Sequence, residues 1–180
     1  LQEQGEYDEA LKLYCQALEL YTQVGGLRAT AGFAAIYGNM GNIYNRQGRY
    51  EEALVNHQKA LEARIAVSLT HTAMNRHVGT CYGNIANVYG SQGRHHEALV
   101  QHQKALEVLI AALGYEHQDV GTSYLNIGHV YQFQDRHEEA LVHFQKGLEV
   151  LLAVGGEKHP RVGAMRTSIG SGLRSMGKPE

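Results

Sequence analysis

The chain has 180 residues, 43% hydrophobic and 19% charged, with a formal net charge of −2. This composition supports a folded core and excludes a low-complexity disordered chain. No basic patch favours a nucleic-acid partner, and no apolar run approaches the roughly 20 residues that span a membrane.

In chain order, the first predicted helix presents Tyr7, Ala10, Leu11, Tyr14, Ala17 and Leu18 on one face, a helical spacing of apolar groups. Gly25-Gly26 is the expected loop after it. A second kind of helix follows, worded Tyr37-Gly38-Asn39-Met40-Gly41-Asn42-Ile43-Tyr44, with Tyr37, Met40, Gly41 and Tyr44 on one face. After a short turn at Gly48-Arg49 the first pattern returns as Tyr50, Ala53, Leu54, His57, Ala60 and Leu61. The alternation then repeats. Tyr82, Ile85, Ala86 and Tyr89 lead through Gly93-Arg94 to His95, Ala98, Leu99, His102, Ala105 and Leu106. Tyr124, Ile127, Gly128 and Tyr131 lead through Asp135-Arg136 to His137, Ala140, Leu141, Phe144, Gly147 and Leu148. Longer loops are expected from Ser68 to Asn75, Gly114 to His117 and Gly155 to Pro160. The last helix starts at Pro160, where a missing N–H is harmless. It keeps Ile169 and Gly170 but has Arg166 and Leu173 in the tyrosine slots. We call the asparagine-bearing helices A and the others B; the predicted order is B-A-B-A-B-A-B-A, eight helices.

The anchoring alanines Ala10, Ala53, Ala98 and Ala140 lie 43, 45 and 42 residues apart. A fixed period of this length denotes a stacked-repeat solenoid, an architecture that offers extended binding surfaces. The expected divisions are a half repeat at 1–26, full repeats at 27–72, 73–117 and 118–159, and a half or capping repeat at 160–180. Gly41, Ala86, Gly128 and Gly170 on the A helices are expected to face Ala53, Ala98 and Ala140 on B. Each helical glycine costs about 1 kcal/mol against Ala, so close packing has to offset it.

The spacing of Tyr37, Met40, Gly41, Tyr44, Gly48, Tyr50, Ala53, His57 and Ala60 resembles the tetratricopeptide repeat family, and the likeness covers essentially the whole chain. The family ends its B helix near a proline, where this chain has Thr22, Ile65, Ile110 and Leu152, so the B helices should run on. The longer period and the Gly-Glu-Lys-His-Pro segment are similar to kinesin light chains and nephrocystin-like proteins. The Tyr-Gly-Asn-Met-Gly-Asn-Ile-Tyr wording is similar to spindle-orientation adaptors that carry GoLoco motifs. The resemblance implies an all-α, right-handed α-solenoid of antiparallel helix pairs, with A helices lining an inner wall.

On that reading the wall carries Ala35, Asn39, Asn42 and Arg46; Thr80, Asn84, Asn87 and Ser91; Thr122, Asn126, His129 and Phe133; and Ala164, Ser168, Ser171 and Ser175. Asn is roughly 0.6 kcal/mol worse than Ala per helical site, so five asparagines on one surface call for an explanation. A carboxamide both donates and accepts, and can pair with the N–H and C=O of a peptide unit whatever its side chain. Gly38 and Gly83 beside the strip would let a ligand backbone come close. The competing explanation is an inter-helix asparagine ladder that only sets geometry. Selectivity would come from Arg46, His129, Gln132, Phe133 and Arg174. Family members that clamp a terminal carboxylate use Lys or Arg where this chain has Gly38, Thr122 and Asn126, which disfavours that function.

Eleven histidines invite a metal, but none stands at i, i+4 spacing with a second ligand: His96 and His137 are followed by Val100 and Leu141. His57, His95, His102 and His137 occupy aromatic slots and are expected to be packed structural groups. Cys15 and Cys81, on different helices, are expected to be free packed thiols. No phosphate loop, nucleophile elbow or acid–base pair is present, so neither an enzyme nor a cofactor is expected. The glutamates at 51–52, 97 and 138–139 suit helix N-termini. Leu1, with no initiating methionine, suggests a piece of a longer protein, and a cytoplasmic location is expected. Two functional readings stay open. One is a scaffold binding an extended peptide segment of a partner. The other is a sensor or assembly segment of a larger regulatory protein, for example a STAND-type ATPase, with intramolecular or self-association contacts. Head-to-tail contact between the terminal half repeats of two copies belongs to the same set of expectations.

Overall fold

The computed structural model describes residues 2–68 and 75–177. The expected loop between Ser68 and Asn75, and with it the repeat boundary at 72/73, lies outside the described residues. Among them are eight α-helices and no strand: α1 (Gln2–Val24), α2 (Gly26–Arg46), α3 (Tyr50–Ser68), α4 (Asn75–Ser91), α5 (His95–Leu113), α6 (Gln118–Phe133), α7 (His137–Gly155) and α8 (Pro160–Ser175). The predicted all-α class and the B-A alternation are both present. The B helices do run past Ile65, Ile110 and Leu152. Pro160 opens α8 behind His159, whose side chain accepts the Arg161 N–H.

The chain forms two compact units, Leu1–Gly93 and Arg94–Glu180. In the first, α1 packs on α2, α2 on α3 and α3 on α4, and α2 also touches α4. In the second, α5 packs on α6, α6 on α7 and α7 on α8. The apolar faces read from the sequence are the buried ones: Met40, Ala53, Ala60, Leu61, Ile85 and Ala86 in the first unit, and Ala98, Ala105, Ile127, Ala140 and Phe144 in the second. Leu109, Val120, Tyr124 and Val150 gather into a cluster of α5, α6 and α7.

Two expectations need correction. The join between α1 and α2 is not a longer loop. Gly25 alone separates the helices, with φ of 65° at Gly25 and 76° at Gly26, and the Gly25 N–H closes the α1 terminus on the Tyr21 carbonyl at 3.1 Å. Nor do the A-helix glycines lie nearest to alanines. A Cβ on Gly41 would fall 2.7 Å from the His57 ring, and one on Gly128 would overlap the Phe144 ring. Each glycine is a notch that seats a flat B-helix ring. The alanines Ala53 and Ala140 are fully buried beside it.

The turn from A to B is built the same way in the first and third repeats. Gly48 and Asp135 take the left-handed conformation (φ 73° and 57°). The next N–H, of Arg49 or Arg136, returns to the carbonyl of Tyr44 or Tyr131 at 2.9 Å. The arginine then lies 4.5 Å over that tyrosine ring, and its Nε donates to Glu52 or Glu139 at 2.9 Å. This hydrogen bond holds the two exposed carboxylates below the usual range. In the second repeat Arg94 Nε donates to Glu97 at 2.8 Å.

The notch predicts opposite signs for two neighbouring substitutions. Gly41→Ala should cost about 1–3 kcal/mol by crowding the buried His57 ring. Gly38→Ala, where a Cβ meets nothing within 4 Å, should gain up to about 1 kcal/mol of helix propensity. Urea unfolding of both variants checks this.

Candidate functional site

The side of the A helices turned away from the B helices is open, as the spacing implied. In α2, Ala35, Asn39, Asn42 and Arg46 are exposed; in α4, Thr80, Asn87 and Ser91 are exposed and Asn84 is half-buried. In α6, Thr122, Asn126 and His129 are half-buried and Phe133 is 71% exposed. In α8, Ser168 is half-buried while Ala164, Ser171 and Ser175 are exposed.

The two units treat this strip differently. In the second, residues of α6 and α8 bond to one another. Arg161 Nη1 donates to Thr122 Oγ1 at 2.8 Å, His129 Nε2 pairs with Ser168 Oγ at 3.1 Å, and Gln132 Nε2 donates to Ser171 Oγ at 3.4 Å. All three pairs are 39 residues apart, so α6 and α8 lie side by side in a fixed register. The His129 ring also meets Phe144 edge-on at 5.3 Å, and burial lowers its pKa. Arg161 was not among the expected strip residues; the repeated 39-residue offset was the signal that could have found it. Several hydroxyls are spent on their own helices: Thr80, Ser91 and Ser175 each donate to the carbonyl four residues back.

The asparagines are not spent in this way. Among the described residues, the carboxamides of Asn39, Asn42, Asn84, Asn87 and Asn126 have no hydrogen-bond partner. Asn39 and Asn84 stand next to Gly38 and Gly83, where an added Cβ would meet nothing within 4 Å. These helical glycines are therefore not packing notches. Phe133 stacks face to face on His95, with ring centroids 5.5 Å apart and planes within 5°, and its other surface faces outward. Arg46 is exposed at the last turn of α2, and Arg174 is exposed on α8.

The remaining candidates resolve into packing. His57 and His102 are 1% and 4% exposed, and burial pushes both imidazoles down to about 4. His95 and His137 are only half-buried, because each starts its helix at the rim of the stack rather than midway along it. Cys81 is buried and its thiol is pushed up to about 11, which makes it a poor nucleophile. Cys15 is exposed rather than packed, since it points away from the α1 face. Among the described residues no three His, Cys, Asp or Glu side chains are grouped to hold a metal. No described helix is long and apolar enough to cross a membrane.

Helices stacked in pairs, with notched inner faces and one polar strip per A helix, define an all-helical repeat protein. Profiles described as Tetratricopeptide repeat match residues 77–153 and 119–180, 34–64 and 1–26, and the chain belongs to the tetratricopeptide repeat family. No curated protein matches the chain. Among solved structures, BtubC (BKLC) from P. vanneervenii superposes with a TM-score of 0.80 at 20% identity, over 98% of this chain and 68% of that one. The apo form of RapI gives 0.81 at 16% identity, over 97% of this chain but only 45% of RapI. A Podosopora anserina protein with nearly identical TPR-like repeats of kinesin light chain type gives 0.73 at 16% identity, over 98% and 82% of the two chains. At these identities the likeness is one of fold, and the fold is that of a protein–protein interaction scaffold.

The buried histidines generate a pH prediction. A folded pKa near 4 against 6.5 unfolded means the unfolded chain binds the extra protons. Stability is therefore full above about pH 6.5 and falls as pH drops from there toward 4. Between pH 8 and 5 each of His57 and His102 should cost roughly 2 kcal/mol. His57→Phe, the choice the third repeat already makes with Phe144, should remove about half of this slope. Melting curves from pH 8 to 5 on both proteins check it; an equal slope in the two would rule out His57 as a source.

Proposed function

We propose that the chain is a non-catalytic scaffold that holds an extended peptide segment of a partner protein on the polar faces of its A helices. The observation that carries this reading is the set of asparagine carboxamides standing open and unpartnered among the described residues. Each can accept from a peptide N–H while donating to a peptide C=O. That recognises backbone rather than side chain, and suits an extended segment whose N–H and C=O groups are unpaired. Gly38 and Gly83 add room for a strand-like ligand to approach the helix backbone. In the first unit Asn39, Asn42, Asn84 and Asn87 form the grip, with Arg46 and Thr80 at its margins. In the second, Asn126 grips and Phe133 offers an apolar surface beside it. Thr122, His129, Ser168 and Ser171 border this site and align α6 with α8.

The chemistry also sets the kind of segment. Neither strip holds an acidic residue, and Arg46 is the charged member of the first. A neutral to weakly acidic segment is therefore favoured, with an apolar or aromatic residue where it passes Phe133.

The test is a selection from a library of disordered-region peptides on the parent and on an Asn39, Asn84, Asn126→Ala triple variant. Exposed Asn→Ala changes raise helix propensity by roughly 0.6 kcal/mol each, so the variant should melt no lower than the parent. If each lost carboxamide removes about 1 kcal/mol of net hydrogen bonding, affinity should fall by about a hundredfold. Gly38→Ala should weaken the same peptides while stabilising the fold. Peptides that bind parent and variant equally would show that the asparagines are architectural, and would turn attention to the contacts of a larger regulatory chain.

A further inference from the structure

Comparing equivalent positions along the repeats shows that two helices each carry a finished face and an unfinished one. Leu20 of α1 occupies the slot that Val150 occupies in α7, 130 residues on. Val150 is 1% exposed, whereas Leu20 is 63% exposed. Tyr14 of α1 stands where α3 has His57 and α7 has Phe144, the rings that sit in glycine notches. Those two rings are fully buried, but Tyr14 is half-exposed. Ala10 and Ala17 are likewise half-exposed, while Ala53, Ala60 and Ala140 are not exposed beyond 1%.

At the other end α8 shows the complementary gap. Its Val162 and Met165 are buried against α7. Ile169, Gly170 and Leu173 stand 42 residues after Ile127, Gly128 and Tyr131. In α6 those three are buried under the B helix of their own pair; in α8 they are half-exposed along a groove of about 620 Å³ edged by Arg166 and Arg174. One helix thus has the ring and no notch, and the other has the notch and no ring.

Charge selects the pairing. Helix α1 carries Glu3, Glu6, Asp8, Glu9 and Glu19 against Lys12, a net of −4, while α8 carries Arg161, Arg166 and Arg174 with no acidic residue, +3. Two α1 helices would repel each other, as would two α8 helices, whereas α1 and α8 attract. We propose that two copies of this chain associate head to tail, α1 of one copy packing as the missing B helix on α8 of the next. Tyr14 then lies over Gly170, and Leu20 is covered beside it. The contact is heterologous, joining unlike faces, so each bound copy still offers one free face of each kind.

Sedimentation of the 180-residue chain over a concentration series, at low and high salt, tests this. The mass should rise above monomer with concentration, and association should weaken about ten-fold or more in high salt, as opposite net charges require. Leu20→Glu and Leu173→Glu, one on each face, should each be monomeric alone. Mixed, they should form a 1:1 dimer that grows no further, because each retains the face the other has lost. Arg166→Glu with Arg174→Glu, at exposed positions, should abolish association without touching the core, and circular dichroism confirms that each variant is folded. A parent that stays monomeric throughout, or association that persists in either single-face variant, would overturn the proposal.

Discussion

The seat of a B-helix ring in an A-helix glycine is the contact on which the helix pairs depend. Gly41 and His57, like Gly128 and Phe144, are separated by 16 residues. In both pairs the left-handed turn residue, Gly48 or Asp135, comes seven residues after the notch. Fixing the ring in the notch fixes how far the chain must travel before it reverses. A non-glycine left-handed residue is costly, though Asp bears it better than most. Asp135 holds that conformation because the Phe144 ring on one side and the Arg136–Tyr131 stack on the other leave the turn no alternative. Burying a ring contributes roughly 2–3 kcal/mol, which exceeds the about 1 kcal/mol that a helical glycine gives up.

The notch also explains why the polar strip can vary. Positions that meet a B helix are bound by the ring, whereas positions facing away touch only the next A helix or solvent. In α6 and α8 that freedom is spent on three side-chain pairs that lock two A helices in register. In α2 and α4, which also touch, it is spent on carboxamides and bare backbone. The same surface therefore does structural work in one unit and stands open in the other.

Most of the fold was legible because it repeats. Three copies of Tyr-x-Asn and four of Glu-Ala-Leu fixed the number, type and order of helices, and their periodicity named the buried faces. Interactions between unlike positions were harder to read. Gly41 was matched with the nearest small residue, Ala53, because small-against-small is the simplest packing rule, and the ring was overlooked because His57 reads as a polar residue. The Arg49–Glu52 and Arg136–Glu139 staples had a signal, Tyr-x4-Arg-x2-Glu at the same spacing in all three repeats. They went unread because the glutamates alone satisfied the helix-dipole explanation. The strip was legible as a list of positions, but which members bond to each other depends on the 39-residue offset between α6 and α8, a tertiary quantity that no single helix encodes.

The distribution of locally unfavourable residues bears on whether the strip is more than architecture. Asn39, Asn42, Asn84 and Asn87 with Gly38 and Gly83 together give up about 4 kcal/mol of helix propensity against alanine. That is a large fraction of the 5–15 kcal/mol by which domains are typically stable. The glycines at notches recover their cost through a seated ring. Gly38 and Gly83 have nothing to recover it, since no atom lies within 4 Å of their Cβ positions. A geometric ladder does not demand these residues either, because α6 and α8 are aligned with serine, threonine and glutamine, and with Asn126 left out of every bond. Rules broken without a local return are expected where a surface meets something outside the chain. An extended peptide is the partner that would give both the bare backbone and the open carboxamides a use at once.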